Sequence, residues 1–149
     1  GLRRRDTREL VMHHFADHRR VALADAVAPP PAYLVTAARD LIRPVLDAQG
    51  IAYRQLGAPR GYRVLEQHFK LPTAAGGRAT LVASAAVARE ALAGSLVIEL
   101  AQRRGRQAVL LLDPRSTSSL FRYPEFAARL GAGEPPPVQP VLAATGGNP

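Results

Sequence analysis

Three consecutive prolines, Pro29 to Pro31, divide the chain more sharply than any other feature. Each lacks a backbone N–H and holds φ near −65°, so no helix passes through them, and the residues that follow begin a new unit. Before the break, Thr7 to Ala26 reads as a helix, with Leu10, Val11, His14 and Phe15 at spacings of three and four and Asp6 or Thr7 as its cap. After it, "AYLV", Ala32 to Val35, is a short β-favouring run that predicts a buried strand.

Thr36 stands where a cap for a second helix is needed, and Leu41, Ile42, Val45 and Leu46 form that helix's apolar stripe. Pro44 lies inside it, and Gly50 supplies a left-handed terminus. "IAYRQL", Ile51 to Leu56, returns as a strand, so strand, helix and strand imply a right-handed crossover between parallel strands. Four further runs, "YRVLEQHFKL", "GRATLVAS", "GSLVIEL" and "QAVLLLD", read as strands whose connections, "AREALAG" among them, suit antiparallel pairing. Arg103, Arg104 and Arg106 then fall in a hairpin loop. "STSSLFRYPEFAARL" predicts short helices, with Ser116 as a cap, Pro124 in a first turn and Gly131 as a stop.

The expected fold class is α+β: a strand-helix-strand unit followed by a mostly antiparallel sheet, with helices at both ends. A single domain covers residues 1–130, made of an N-terminal helix (1–28), the strand-helix-strand unit (32–56), antiparallel strands (62–113) and short helices (116–130). Residues 131–149, dense in Gly and Pro, read as a flexible tail. The length of 149 residues suits one domain with a real core. Because the chain opens at Gly1 within an apparent helical turn, a fragment of a longer polypeptide is expected.

A net charge of +8 comes from 20 basic against 12 acidic residues, and Lys70 is the one lysine. The arginines are scattered, unlike the single run of a basic arm. Cysteine is absent, which excludes disulfides and thiolate chemistry. No apolar run reaches the roughly 20 residues that span a bilayer, so no membrane partner is expected.

Few residues point to chemistry. His14 and His18, four apart, are weak candidates for a metal pair, but the Glu of His-Glu-x-x-His is missing and no third ligand is identifiable. His68 has no Ser or Asp at a recognisable spacing, and Asp40 and Asp47, like Glu90 and Glu99, read as solvated charges or partners for arginine. No catalytic residue is assigned. Arg103, Arg104 and Arg106 are the candidate anion- or partner-binding site, able to meet an acidic ligand or another domain. Their loop carries no aromatic, so nucleic acid is not the expected partner, though a basic module for nucleic acid or another polyanion is the alternative reading.

Gly94, Ser95, Leu96, Val97, Gln102, Leu111, Leu112 and Pro114, followed by Ser118, Ser119 and Leu120, carry a resemblance. Together with "PPPAYLVTAARDLIRPVLDAQGIAYRQL" upstream, they make Pro30 to Phe126 resemble the C-terminal region of bacterial zinc carboxypeptidase-like proteins of the carboxypeptidase A type. There a Gly-Ser-Leu-Val strand leads through a Gln to a second strand ending in Leu-Leu-Glu-Pro. The departures are Gln49 for a frequent His, Arg103 for Pro, Asp113 for Glu, and Tyr123-Pro124 for Trp-Gly. The resemblance implies a noncatalytic accessory domain whose partner is a preceding catalytic domain of the same polypeptide. That domain would hold the zinc on a His-x-x-Glu pair and a later His, so no cofactor is expected in this chain. It also implies a secreted or periplasmic setting. "HFAD", His14 to Asp17, has Asp where the family has Glu and receives no ligand role.

Overall fold

A computed structural model describes residues 28–72, 79–130 and 136–144, with the backbone of Leu2–Arg3 and Leu10–Val11. These last two, β1 (Leu2–Arg3) and β2 (Leu10–Val11), pair antiparallel, Leu2 opposite Val11. The helix expected over Thr7 to Ala26 is therefore not helical at Leu10–Val11, where an inter-strand ladder takes the backbone groups. The rest of that expectation, with His14 and His18, lies outside the described residues.

The fold is α+β. One six-stranded sheet contains β3 (Ala32–Val35), β4 (Arg54–Gln55), β5 (Arg60–Lys70), β6 (Thr80–Ala91), β7 (Leu96–Glu99) and β8 (Val138–Ala144), in the order β4-β7-β3-β8-β5-β6. Every neighbouring pair is antiparallel. The helices among the described residues are α1 (Arg39–Ala48), α2 (Gly105–Leu112) and α3 (Pro124–Ala127), with a 3-10 turn at Leu120–Arg122. No helix among the described residues is long and apolar enough to cross a membrane.

The strand-helix-strand unit forms with two corrections. β3 and β4 both run antiparallel to β7, so they are parallel to each other, but β7 lies between them. Thr36 does not cap α1; its N–H donates to the Pro137 carbonyl at 3.0 Å and lengthens the β3–β8 ladder. The cap position falls to Ala38 at φ 52°, left-handed for a residue with a side chain. Ile42 and Leu46, four apart, are buried, whereas Asp40 and Pro44 lie exposed, where water can serve the carbonyl that Pro44 cannot engage. Gly50 takes φ 63° after the helix, as its position predicts.

Two larger corrections concern the C-terminal half. "QAVLLLD" is not a strand, because Gly105–Leu112 is helical and buries Gly105, Ala108 and Leu112 at helical spacing. A short apolar run of Leu, Val and Ala satisfies either period, and its neighbours decide. Val138–Ala144, expected in the flexible tail, is instead a strand inside the sheet, between β3 and β5. Pro140 is tolerated there because it stands just beyond the last β5 pair, Val64 with Val141, and interrupts no β5 ladder bond. "AREALAG" is likewise less of a connection than its composition implies, since β6 runs on to Ala91. Pro124 opens α3 as predicted, while the capping role expected of Ser116 belongs to Ser119, whose Oγ accepts from the Phe121 N–H at 3.2 Å.

Strand order and link length together force the sheet to curl. β4 and β5 stand four places apart, as do β6 and β7, which in a flat sheet is about 19 Å at roughly 4.8 Å per strand. Each gap is bridged by only four residues, 56–59 and 92–95, whose reach when fully extended is about 17 Å. Neither link is extended: Ser95 N–H turns back to the Leu92 carbonyl and Gly94 takes φ 85°. The links also bond to each other, Leu56 N–H to the Ser95 carbonyl at 2.9 Å and Gly94 N–H to the Leu56 carbonyl at 2.7 Å.

A curled sheet has two distinct faces. The helices cover the face carrying Tyr33, Val35, Leu96, Ile98 and Val138, with Ile42, Leu46, Leu112, Phe121 and Phe126 packed on it. The other face holds Ala32, Leu34, Leu56, Tyr62, Val64, Ala91, Val97 and Val141, with no helix residue among them. Leu34 and Val64 are nevertheless 0% exposed, because the strands close over one another.

Gln139 lies opposite Leu34 with its side chain fully buried and both amide atoms without a partner among the described residues. An unsatisfied buried amide costs about 1–3 kcal/mol, so Gln139→Met is expected to raise the denaturant midpoint by about 1 kcal/mol of stability, and a lower midpoint contradicts that account.

Candidate functional site

The three arginines singled out by sequence come together at the start of α2 rather than in a hairpin loop. Gly105 makes this placement possible: a Cβ there would stand 2.0 Å from the Leu100 carbonyl oxygen, so only glycine lets the helix begin this close to the end of β7. Arg103 and Arg104 precede the helix and Arg106 occupies its first turn. With Gln107, Leu110, Leu111 and Ser118 they line a concavity of about 490 Å³. Arg104 donates to Gln107 Oε1 at 3.1 Å, whereas Arg103 and Arg106 have no hydrogen-bond or ion-pair partner among the described residues. Three cations beside the positive end of a helix repel one another and its dipole, and that positive field favours an incoming anion.

Residues just before and after α2 in the chain hold the fold together. Gln102 Nε2 donates to the Ala52 carbonyl at 2.8 Å and the Glu99 carbonyl at 2.6 Å, and its Oε1 accepts from the Ala52 N–H at 2.9 Å. One side chain thus fastens the end of β7 to the chain leaving α1. Past α2, Asp113 accepts from the Arg115 backbone N–H, Nε and Nη2 at 2.9, 3.0 and 2.7 Å. Tyr33 lies nearby in the core, and its hydroxyl ionises well above the usual tyrosine range, first because it is buried and second because of the Asp113 carboxylate.

His68 sits on β5 with Nε2 3.2 Å from Glu66 Oε1, and Glu66 Oε2 accepts from Arg89 Nη2 at 2.5 Å across the β5–β6 pair. Asp47 accepts from the Tyr53 hydroxyl at 2.8 Å, which in turn accepts from Arg43 Nε at 3.0 Å. No group of three or more His, Cys, Asp or Glu side chains fit to hold a metal occurs among the described residues.

A second site escaped the sequence reading. At one open end of the curl, Arg54 of β4, Arg60 and Tyr62 of β5, and Glu99 of β7 surround a cavity of about 520 Å³ floored by Ala32, Val97 and Val141. These residues are scattered from position 32 to 141, and only the curl gathers them. Sequence carries no local signal of the grouping.

Compared with the models of known protein families, with curated proteins and with solved structures, the chain matches none.

Burial of neutral Tyr33 gives a pH dependence. The folded state holds the proton above the pH at which the unfolded chain releases it, near 10, so the stability from the neutral form is complete below that pH and declines above it. Urea melts between pH 9 and 11.5 are expected to show this decline, at up to about 1.4 kcal/mol per pH unit, and Tyr33→Phe to lessen it. An unchanged slope in Tyr33→Phe contradicts the assignment.

Proposed function

We propose that the chain is a noncatalytic C-terminal accessory domain of a zinc carboxypeptidase-like protein, supporting a peptidase domain that precedes it in the same polypeptide. One observation carries the reading: the residues that bear the resemblance are committed to holding the fold together. Leu96 and Val97 are buried in β7, Leu112 is buried in α2, and Leu120 is buried in the 3-10 turn. Gln102 spends its amide on backbone groups, and Ser119 uses its hydroxyl on the Phe121 N–H. Side chains engaged in this way supply no proton transfer and no metal ligation, so in this reading the zinc and its chemistry belong to the preceding domain. Arg103, Arg104 and Arg106 then offer a basic surface to an acidic patch of that domain.

The test has two parts. The reading frame upstream of Gly1 is expected to encode a His-x-x-Glu pair and a later His, and the chain by itself to release no C-terminal residue from peptides with zinc added. Hydrolysis accompanied by tightly held zinc overturns the noncatalytic reading. For the arginine surface, Arg103→Glu with Arg106→Glu is expected to weaken association with the upstream domain roughly tenfold at low salt, with a smaller difference at high salt. Equal affinity at both ionic strengths contradicts the role given to α2, and tight, steeply salt-dependent binding to a polyanion favours the basic-module reading instead.

A further inference from the structure

We propose that the open end of the curled sheet binds a small monocarboxylate bearing an apolar chain, with Arg54 and Arg60 taking the head group and the Ala32, Val97 and Val141 floor taking the chain. The cavity, at about 520 Å³, falls in the range of small-ligand sites, which pair an apolar lining with a few convergent polar groups. Its two cations are uncommitted. Arg54 makes no hydrogen bond or ion pair among the described residues, and the Arg60 guanidinium lies over the Tyr62 ring, 5.9 Å from its centroid. That stacking orients the Arg60 fork without using its N–H groups.

Tyr62 supplies an independent observation. It lines the cavity yet is only 3% exposed, and its hydroxyl is buried with no partner among the described residues. Buried tyrosine hydroxyls ordinarily find one, so a residue that lines the cavity carries an unmet polar group.

Glu99 narrows the ligand class. With Arg54 and Arg60 it leaves the mouth one net positive charge, which a single anionic head neutralises, while the apolar floor offers nothing to an anion without a chain. A cationic head meets two like charges against one opposite. The site lies apart from the α2 concavity, with which it shares no lining residue, and it does not depend on the peptidase reading.

The test is an NMR titration of the ¹⁵N-labelled chain with octanoate, 1-octanol, octylammonium and inorganic phosphate, so that one chain is compared under three heads and an anion is tested without a chain. Octanoate is expected to bind most tightly, shifting amides of β4, of Arg60 to Tyr62 and of Val141 to Ala144. The double variant Arg54→Gln, Arg60→Gln, with its spectrum still dispersed, is expected to bind octanoate roughly 10- to 100-fold more weakly. Octanol or phosphate binding as tightly as octanoate overturns the proposal, as does stronger binding of octylammonium or a set of shifts confined to α2. Should the double variant fail to fold, the ranking of the four ligands on the unaltered chain still decides.

Discussion

Ala91 and Leu96 belong to strands four places apart in one sheet, and four residues join them. The same arithmetic holds for Gln55 and Arg60, and no flat sheet satisfies both. Curling is therefore a covalent requirement of this strand order, and it divides the apolar residues into two cores: one under the helices, one enclosed by the strands themselves. The second would be a solvent-exposed sheet face in a flat arrangement. Closing it removes Leu34, Val64 and Val97 from water at roughly 25 cal/mol per Å² of apolar surface.

The curl also explains where polar groups collect. Arg54 and Arg60 flank one short link, so bringing β4 toward β5 sets both at the same opening. Gly105 and Gln102 play the matching part at the end of β7, one allowing α2 to start against the Leu100 carbonyl, the other bonding β7 to Ala52. Basic residues thus gather at two places for two reasons. Three arginines within four residues share the α2 terminus through local sequence, whereas the sheet mouth is assembled by tertiary curling. The proposed accessory role and the proposed carboxylate site accordingly rest on separate features of one scaffold.

Much of the first half was legible because its signals are local. Pro29 to Pro31 end one unit, "AYLV" is a four-residue β run, Ile42 and Leu46 mark a helical stripe, and Gly50 marks its end; each is decided by neighbours within a few residues. The expected α+β class and antiparallel pairing follow from such signals. "QAVLLLD" was illegible because its apolar residues fit both periods, and what favours helix is tertiary: Ala108 and Leu112 pack in one core with Tyr33, Val35 and Ile98 of the sheet. β8 was hidden by composition: Pro140 and the surrounding Gly and Pro argue for a tail, and only the vacant place between β3 and β5 makes Val138 and Val141 strand residues. Of the sites, the arginines near α2 were visible as a run with the wrong surrounding structure, and the mouth residues carried no sequence signal.

β8 bears most of this account, since it joins β3 to β5 and so makes one sheet out of two parts. Native-state hydrogen exchange measures that role most directly. Amides of β8 that bond to β3 and β5 are expected to exchange with free energies close to that of global unfolding, at the level of those in β3. Exchange across Val138 to Ala144 at the rate of an unstructured peptide, while β3 remains protected, would contradict the continuous curled sheet on which both cores depend.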